Sequence, residues 1–218
     1  MQLAARGHNV IALATSTPAE PTDGVDARIC DVTDEEQVVA TFSDIGSVNI
    51  LVNNAGVSGS NRLGRTTLEE WNRSILVNAT GSFLCTRAVI DQMLERDSGK
   101  IVTVASIAGV EGAPYIAAYA SSKHAVMGLM RVVAAETAGA GVTVNTVCPT
   151  FVRTGMTVAT IANIAERTGK NLVEAEAALA KATPHGRIIE IAEVVDTVMD
   201  LLNSDDNGRE IVLDGAPT

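Results

Sequence analysis

Aromatic side chains are scarce: three Phe, two Tyr and one Trp make up 3% of 218 residues. That argues against an aromatic-rich binding surface and for helices packed closely on a sheet through small side chains. Basic residues are outnumbered, 16 Lys and Arg against 26 Asp and Glu, for a net charge of −10. They form no run able to track a phosphate backbone, so nucleic acid is not an expected partner. No apolar run reaches the length of a membrane span, and the start lacks the charged and apolar regions of a signal peptide. A cytoplasmic protein with no membrane partner is expected. Cys30, Cys85 and Cys148 are odd in number and widely spaced, with no Cys-x-x-Cys, which excludes a disulfide framework and a zinc site. Each reads as a small apolar side chain. His8, His124 and His185 share no ligand spacing either, so no metal is expected.

What is present is a chain 46% hydrophobic, rich in Ala, Val and Gly, and of a length for one α/β domain over residues 1–218. Met1 to Gly7 reads as the last turns of a helix closed by Gly7, followed by a strand from Val10 to Ala14. A loop with Pro18 and Pro21 leads to a short strand from Ala27 to Asp31. The capping-box spacing Thr33-Asp34-Glu35-Glu36 then starts a helix to about Asp44. Val48 to Val52 has the apolar, β-branched character of a strand buried on both faces, and it runs into Asn53-Asn54-Ala55-Gly56. A second capping box at Thr67 to Glu70 opens a short helix carrying Trp71, and a long helix follows from about Gly81 to Arg96, ended by Gly99. Strands at Ile101 to Val104 and Val142 to Val147 flank a helix that runs to about Ala138. A final helix from about Glu190 to Asn203 precedes a strand from Glu210 to Leu213. Strands alternating with helices predict a doubly wound parallel sheet. The segment of about 150–187, helical but broken by Gly155, Gly169 and Pro184, reads as a substrate lid beyond a strand's carboxyl end.

Tyr119 and Lys123 stand four residues apart in Tyr119-Ala120-Ser121-Ser122-Lys123, on one face of a helix. A cation beside a phenol favours the phenolate, so Tyr119 is expected to titrate below the roughly 10 of free tyrosine and to serve as an acid or base near neutrality. The polar clusters at Asn53 to Gly56, Ser106, and Pro149 to Thr154 all fall at strand carboxyl ends, where ligands of such sheets bind.

With these residues in place, the sequence resembles the short-chain dehydrogenase/reductase family along its whole length. The resemblance rests on Tyr119 and Lys123, on Ser106 thirteen positions before that tyrosine, on Asn53 to Gly56, and on Asn78 in Leu76-Val77-Asn78-Ala79-Thr80-Gly81. It implies a Rossmann-like fold and an NAD(P)-dependent oxidoreductase in which Tyr119 passes the substrate hydroxyl proton. Lys123 would lower the Tyr119 pKa and bind the nicotinamide ribose, Ser106 would orient the substrate oxygen, and Asn78 would hold a water of the proton path. By the same resemblance Asp31 and Val32 meet the adenine, and Asn54, Ala55 and Gly56 form the bed beside the adenosine ribose. Pro149, Val152 and Thr154 surround the nicotinamide carboxamide, with Thr150 where the family pattern has glycine. Tyr115 lacks a lysine at i+4 and reads as a pocket wall.

Two departures from the family pattern stand out. The Gly-rich turn after the first strand is absent because the sequence begins inside the following helix, so a protein starting about 20 residues further upstream is expected. The alternative is a truncated, cofactor-incompetent relative with a binding or structural role. At the end of the second family strand, where NAD-preferring relatives carry an acid, stand Ala14, Thr15 and Ser16. With no carboxylate to repel a 2′-phosphate, NADP is favoured over NAD. The resemblance also implies a small-molecule carbonyl or alcohol substrate of the 3-oxoacyl or 3-hydroxyacyl type, and a homodimer or homotetramer built on the two long helices. Arg153, Arg167 and Lys170 read as solvated surface charge.

Overall fold

The computed structural model describes residues 2–17 and 20–216. Met1, expected in the opening helix, and Pro18, expected in the first loop, lie outside the described residues, as do Ala19, Pro217 and Thr218. The chain opens with α1 (Gln2–Ala5), which ends as expected at Gly7. Gly7 has a φ of 85°, its N–H donates to Ala4 O, and the His8 N–H reaches Leu3 O, the two bonds that close a helix with a left-handed residue.

Strand β1 (Val10–Ala14) pairs in parallel with β2 (Val25–Ile29), which lies two residues earlier than expected. Helix α2 (Glu35–Ile45) is capped by Asp34, which accepts from the Gln37 N–H, so the cap sits one residue later than Thr33. Four further strands, β3 (Ile50–Asn53), β4 (Gly99–Val104), β5 (Val142–Pro149) and β6 (Glu210–Leu213), pair in parallel in that order. Every described ladder is parallel, and helices lie on both faces, so the fold is the doubly wound α/β sheet that the alternation predicts.

Two cores show this layering. On one face α4 (Gly81–Glu95) and α5 (Ala117–Glu136) bury Val89, Met93, Val126 and Met130 against Ile101 and Val144. On the other, α8 (Ile191–Asn203) buries Met199, Leu201 and Leu202 against Val102 and Val147. All eight residues of β5 are buried. Strand β3 is a correction: Ile50 and Val52 are half-buried rather than sealed on both faces. The reason is that, among the described residues, β3 ladders only with β4; β1-β2 and β3-β4-β5-β6 are two separately hydrogen-bonded sets of strands.

The long helical run from Leu68 is continuous where two helices were expected. Thr67 and Glu70 form the capping box of α3 (Leu68–Ser74), and Ile75–Thr80 then takes π-helical turns before α4, with the Gly81 N–H donating to Leu76 O. Gly99 does not end α4. It begins β4, where a Cβ would meet Met93 Sδ at 2.5 Å; the left-handed turn belongs to Asp97, φ 51°. The remaining helices, α6 (Gly155–Thr168) and α7 (Leu172–Lys181), pack on each other through Ile161, Ala175, Leu179 and Ile188.

Candidate active site

Parallel register brings the carboxyl ends of β3, β4 and β5 together, with Asn53 opposite Thr103 and Val104 opposite Val147. Asn53 itself is a buried tie: its Nδ2 donates to Thr86 Oγ1 and Thr103 Oγ1, both at 3.1 Å, joining β3, β4 and α4. Its neighbours Asn54 and Ala55 are exposed at the strand end.

After β4, Ser106 caps a short 3-10 turn (Ile107–Gly109), its Oγ accepting from the Ala108 N–H at 3.1 Å. Gly109 presses this turn onto α5. A Cβ there would stand 2.8 Å from Lys123 O and 2.9 Å from Met127 Cγ, so glycine is what allows the approach. Ser106 is thereby brought near enough to the Tyr119 phenol to favour its ionised form.

Lys123 is 6% exposed. Its Nζ donates to Val104 O at 3.2 Å and lies 5.9 Å from the centroid of the Tyr119 ring. Burial pushes this ammonium down to about 8, with Cys148 nearby pulling weakly the other way. Tyr119 shifts opposite to expectation. Burial raises its phenol above the ordinary tyrosine value, and the hydrogen bond from Ser106 offsets this only in part. A desolvated phenolate is costly, and a lysine that is itself half discharged near pH 8 supplies too little field to reverse that cost.

Asn78 lies in the π-helical turns and is 1% exposed. Its Oδ1 accepts from the Val57 N–H at 2.8 Å, and its Nδ2 donates to Val57 O at 3.0 Å and to Ser122 Oγ at 2.8 Å. Ser122, fully buried, donates in turn to Tyr119 O at 2.7 Å. Both amide hydrogens of Asn78 are thus used within the protein. Its side chain clasps the loop after β3 to α5 and has no donor left for a water. Ser122 was not expected from sequence, although its place three residues after Tyr119, on the same helical face, carried the signal.

Asp31 and Val32 follow β2. Asp31 Oδ1 accepts from the Thr33 N–H at 2.9 Å and the Thr33 hydroxyl at 2.7 Å, and Val32 packs so closely that a Cβ on Gly81 would stand 2.8 Å from its Cγ2. Beyond β5, Val152 bridges Ile189, and the Thr154 N–H returns to Val152 O at 2.7 Å. Pro149 is buried. Thr150 has no positive φ, so threonine in place of glycine costs no backbone strain there. An open groove of about 470 Å3 lies elsewhere, at the amino end of β3 around Gly46 and Arg96. Arg96 there donates to Ser47, Gln92 and the Val48 carbonyl, while its Nε is buried without a partner among the described residues.

Residues 1–165 match the family model described as short chain dehydrogenase. The chain belongs to that family. A 3-oxoacyl-[acyl-carrier-protein] reductase of Synechocystis sp. is 42% identical over 134 residues, 61% of this chain and 54% of that protein. A 2-(R)-hydroxypropyl-CoM dehydrogenase of Xanthobacter autotrophicus is 37% identical over 198 residues, 86% of this chain and 76% of that protein. The chain spans about half the length of the first curated relatives it matches. Among solved structures, an actinorhodin polyketide ketoreductase with NADPH superposes with a TM-score of 0.88 at 28% identity, covering 98% of this chain and 89% of that one.

For a short-chain dehydrogenase the strand ends fit a nicotinamide nucleotide. A Cβ on Gly56 would meet Asn78 Oδ1 at 3.2 Å and Lys123 Nζ at 3.7 Å, so glycine keeps open a cradle directly against the buried ammonium. Among the described residues no cluster of His, Cys, Asp or Glu is arranged to hold a metal, and no helix is long and apolar enough to cross a membrane.

Proposed function

We propose that this short-chain dehydrogenase interconverts a carbonyl and a secondary alcohol with an NAD(P) cofactor, on a 3-oxoacyl or 3-hydroxyacyl substrate or one of similar apolar body. The observation that carries the reading is a desolvated ammonium, Lys123, with one carbonyl partner, set over the ring of the Tyr119 phenol. A bound nicotinamide supplies the hydride. Tyr119 holds the proton: with its pKa raised, the phenol is neutral at pH 7 and is a general acid toward a substrate oxygen in the reductive direction. Ser106 orients that oxygen. Lys123 is charged below about pH 8 and steadies the tyrosinate left behind, so reduction slows as pH rises through about 8. Asn78 and Ser122 act as positioning residues, because their bonds fix α5 against the loop after β3.

Asp31, Val32, Asn54, Ala55, Gly56, Tyr119, Lys123, Pro149, Val152 and Thr154 are read as the cofactor contacts. Exposed Ala14, Thr15 and Ser16 at the end of β1 offer no carboxylate, which favours NADP. Residues 150–187 are read as the lid of a single dinucleotide-binding domain. Their small core of Ile161, Ala175 and Leu179 and the ion pair of Arg153 with Glu176 support that reading, and exposed Phe151, Met156 and Val158 supply an apolar wall. Exposed Phe83 on α4 and Val132 on α5 suit a homodimer or homotetramer in the cytoplasm, which light scattering checks for its size.

The test is consumption of NADPH and NADH with a panel of 3-oxoacyl thioesters, ketones and sugars. Thioester turnover with higher kcat/KM for NADPH is expected. Turnover of ketones alone would remove the acyl substrate, and no turnover of any member would remove the oxidoreductase reading.

A further inference from the structure

The proposed reaction uses none of the three cysteines, all of them free and buried. Cys30, just after β2, is 1% exposed, and Cys85, in the second turn of α4, is 6% exposed. Far apart in the sequence, they share one apolar core with Val38, Leu84 and Val89.

The run of the two elements brings the thiols to one another. Helix α4 begins at the carboxyl end of β2, where a Cβ on Gly81 would stand 3.4 Å from Val32 Cβ. It ends near the amino end of β3, where Gln92 Oε1 accepts from the Val48 N–H, so the helix runs back along the strands. Cys30 lies two residues before Val32, about 6.6 Å along an extended chain, and Cys85 four residues after Gly81, about 6 Å along the helix. Cys30 and Val32 both pack into the shared core, while Asp31 between them turns to Thr33. The next contact after Val32 on Gly81 is therefore Cys30 on Cys85, between backbones about as close as a disulfide needs. Burial, and in smaller part the nearby Cys30, push the Cys85 thiol up to about 12. Cys148, by contrast, turns its Sγ to Met127 Sδ at 3.6 Å.

In the closed protein Cys85 is no nucleophile, because the thiolate is the reactive form. Reaction waits on an opening, and the weaker ladder supplies one. The Cys30 N–H donates to Ala14 O at 2.8 Å and so prolongs the pairing of β1 with β2, whose residues are half-buried or exposed. Local opening of such strands exposes Cys30.

We propose that Cys30 and Cys85 form a redox modification site, at which a small disulfide such as oxidised glutathione converts the two thiols to an internal disulfide fastening the end of β2 to α4. In the open state the Cys30 thiolate attacks one sulfur of oxidised glutathione and releases one glutathione thiolate. The Cys85 thiol gives its proton to water, and its sulfur displaces the second glutathione from Cys30. The two protein thiols lose two electrons and two protons in all, and the oxidant is reduced to two glutathione thiols.

Reduced protein is incubated with excess oxidised glutathione under native conditions, quenched in acid and mapped by mass spectrometry. The expected product is lighter by two hydrogens, with peptides joined through Cys30 and Cys85 and with Cys148 still a thiol. Cys85→Ser should stop at a glutathione adduct on Cys30. In the oxidised protein the amides of β1 and β2 should exchange about tenfold more slowly, and dithiothreitol should restore the faster rate. Two unmodified thiols, a lasting glutathione adduct on Cys30 in the parent, or a bond to Cys148 overturns the proposal. One further readout rests on the proposed cofactor contacts: with Asp31 and Val32 held in place, NADPH should bind about threefold more tightly by fluorescence titration. A disulfide that leaves NADPH affinity unchanged upholds the modification site and removes Asp31 and Val32 from those contacts.

Discussion

The two ladders of the sheet differ in how deeply they are built in. In β4 and β5 nearly every residue is buried, and the polar groups at their carboxyl ends hang from that core: Ser106 on a turn pressed against α5, Lys123 on a helix seated over β5. Strands β1 and β2 are mostly half-exposed, with Ile29 at 64%. They reach the rest of the fold through Cys30, Val38 and Phe42 under α2 and through the contact of Val32 with Gly81. The groups proposed for proton transfer thus sit where the structure is stiffest, and those proposed for the adenine end sit where it is least supported. Acid–base geometry tolerates displacements of only a fraction of an ångström, whereas a nucleotide's far end is held by many weaker contacts.

Removing the proton donor is the most severe way to probe the buried half. Tyr119→Phe keeps the ring that packs beside Lys123 and loses only the hydroxyl, so turnover should fall by a factor of about 10²–10⁴ with circular dichroism unchanged. A smaller loss would shift the acid to another group, and Tyr115, exposed and four residues earlier, would be the one to replace next.

Hydrogen exchange compares the two ladders directly. Amides of β4 and β5 should exchange only through global unfolding, while those of β1 and β2 should exchange about a hundredfold faster through local opening, as expected of strands with little buried surface. Equal protection in the two ladders would abolish the contrast.

How far this contrast could be read from the sequence depends on which interactions are local. The caps at Thr67 and Gly7, the strands that lead into Asn53 and Ser106, and the i, i+4 pairing of Tyr119 with Lys123 follow from spacing and are found in place. The π-helical turns around Asn78 depend on i→i−5 bonding, which leaves no residue signature, so two helices were expected where one runs on. Gly99 looked like a helix stop because glycines often are, but its role is to admit Met93, a contact between elements that spacing does not reveal. The direction of the Tyr119 shift was misjudged for the same reason: the cation is local, while the burial that outweighs it comes from the whole fold.

Lys123→Met tests what that burial costs. An ammonium whose pKa drops from 10.5 to about 8 on folding destabilises the native state at every pH below about 8, and the penalty fades between 8 and 10.5 as the unfolded lysine also loses its proton. Replacing it with an uncharged chain of similar length should abolish activity yet raise the unfolding free energy at pH 7 by up to about 3 kcal/mol, less the bond to Val104 O. Urea denaturation at pH 7 and pH 10.5 reads both parts, and the gain should shrink at the higher pH. A variant less stable than the parent at pH 7 would mean that the ammonium is well solvated.

The smallest effect concerns the end of β5. Thr150 Oγ1 is buried without a hydrogen-bond partner among the described residues, although the Thr150 N–H is satisfied by Leu213 O at 2.9 Å. The backbone therefore needs nothing from this side chain, and its shape is used while its polarity is not. Thr150→Val keeps the shape and removes the orphaned hydroxyl, so the unfolding free energy should rise by about 1 kcal/mol. In a chain of this size that is a shift of about 2–4 °C in Tm. Thr150→Ser retains the hydroxyl but loses the methyl and should fall below the parent. If valine also destabilises, the hydroxyl has a partner after all, and the end of β5 holds a bound water that belongs to the site.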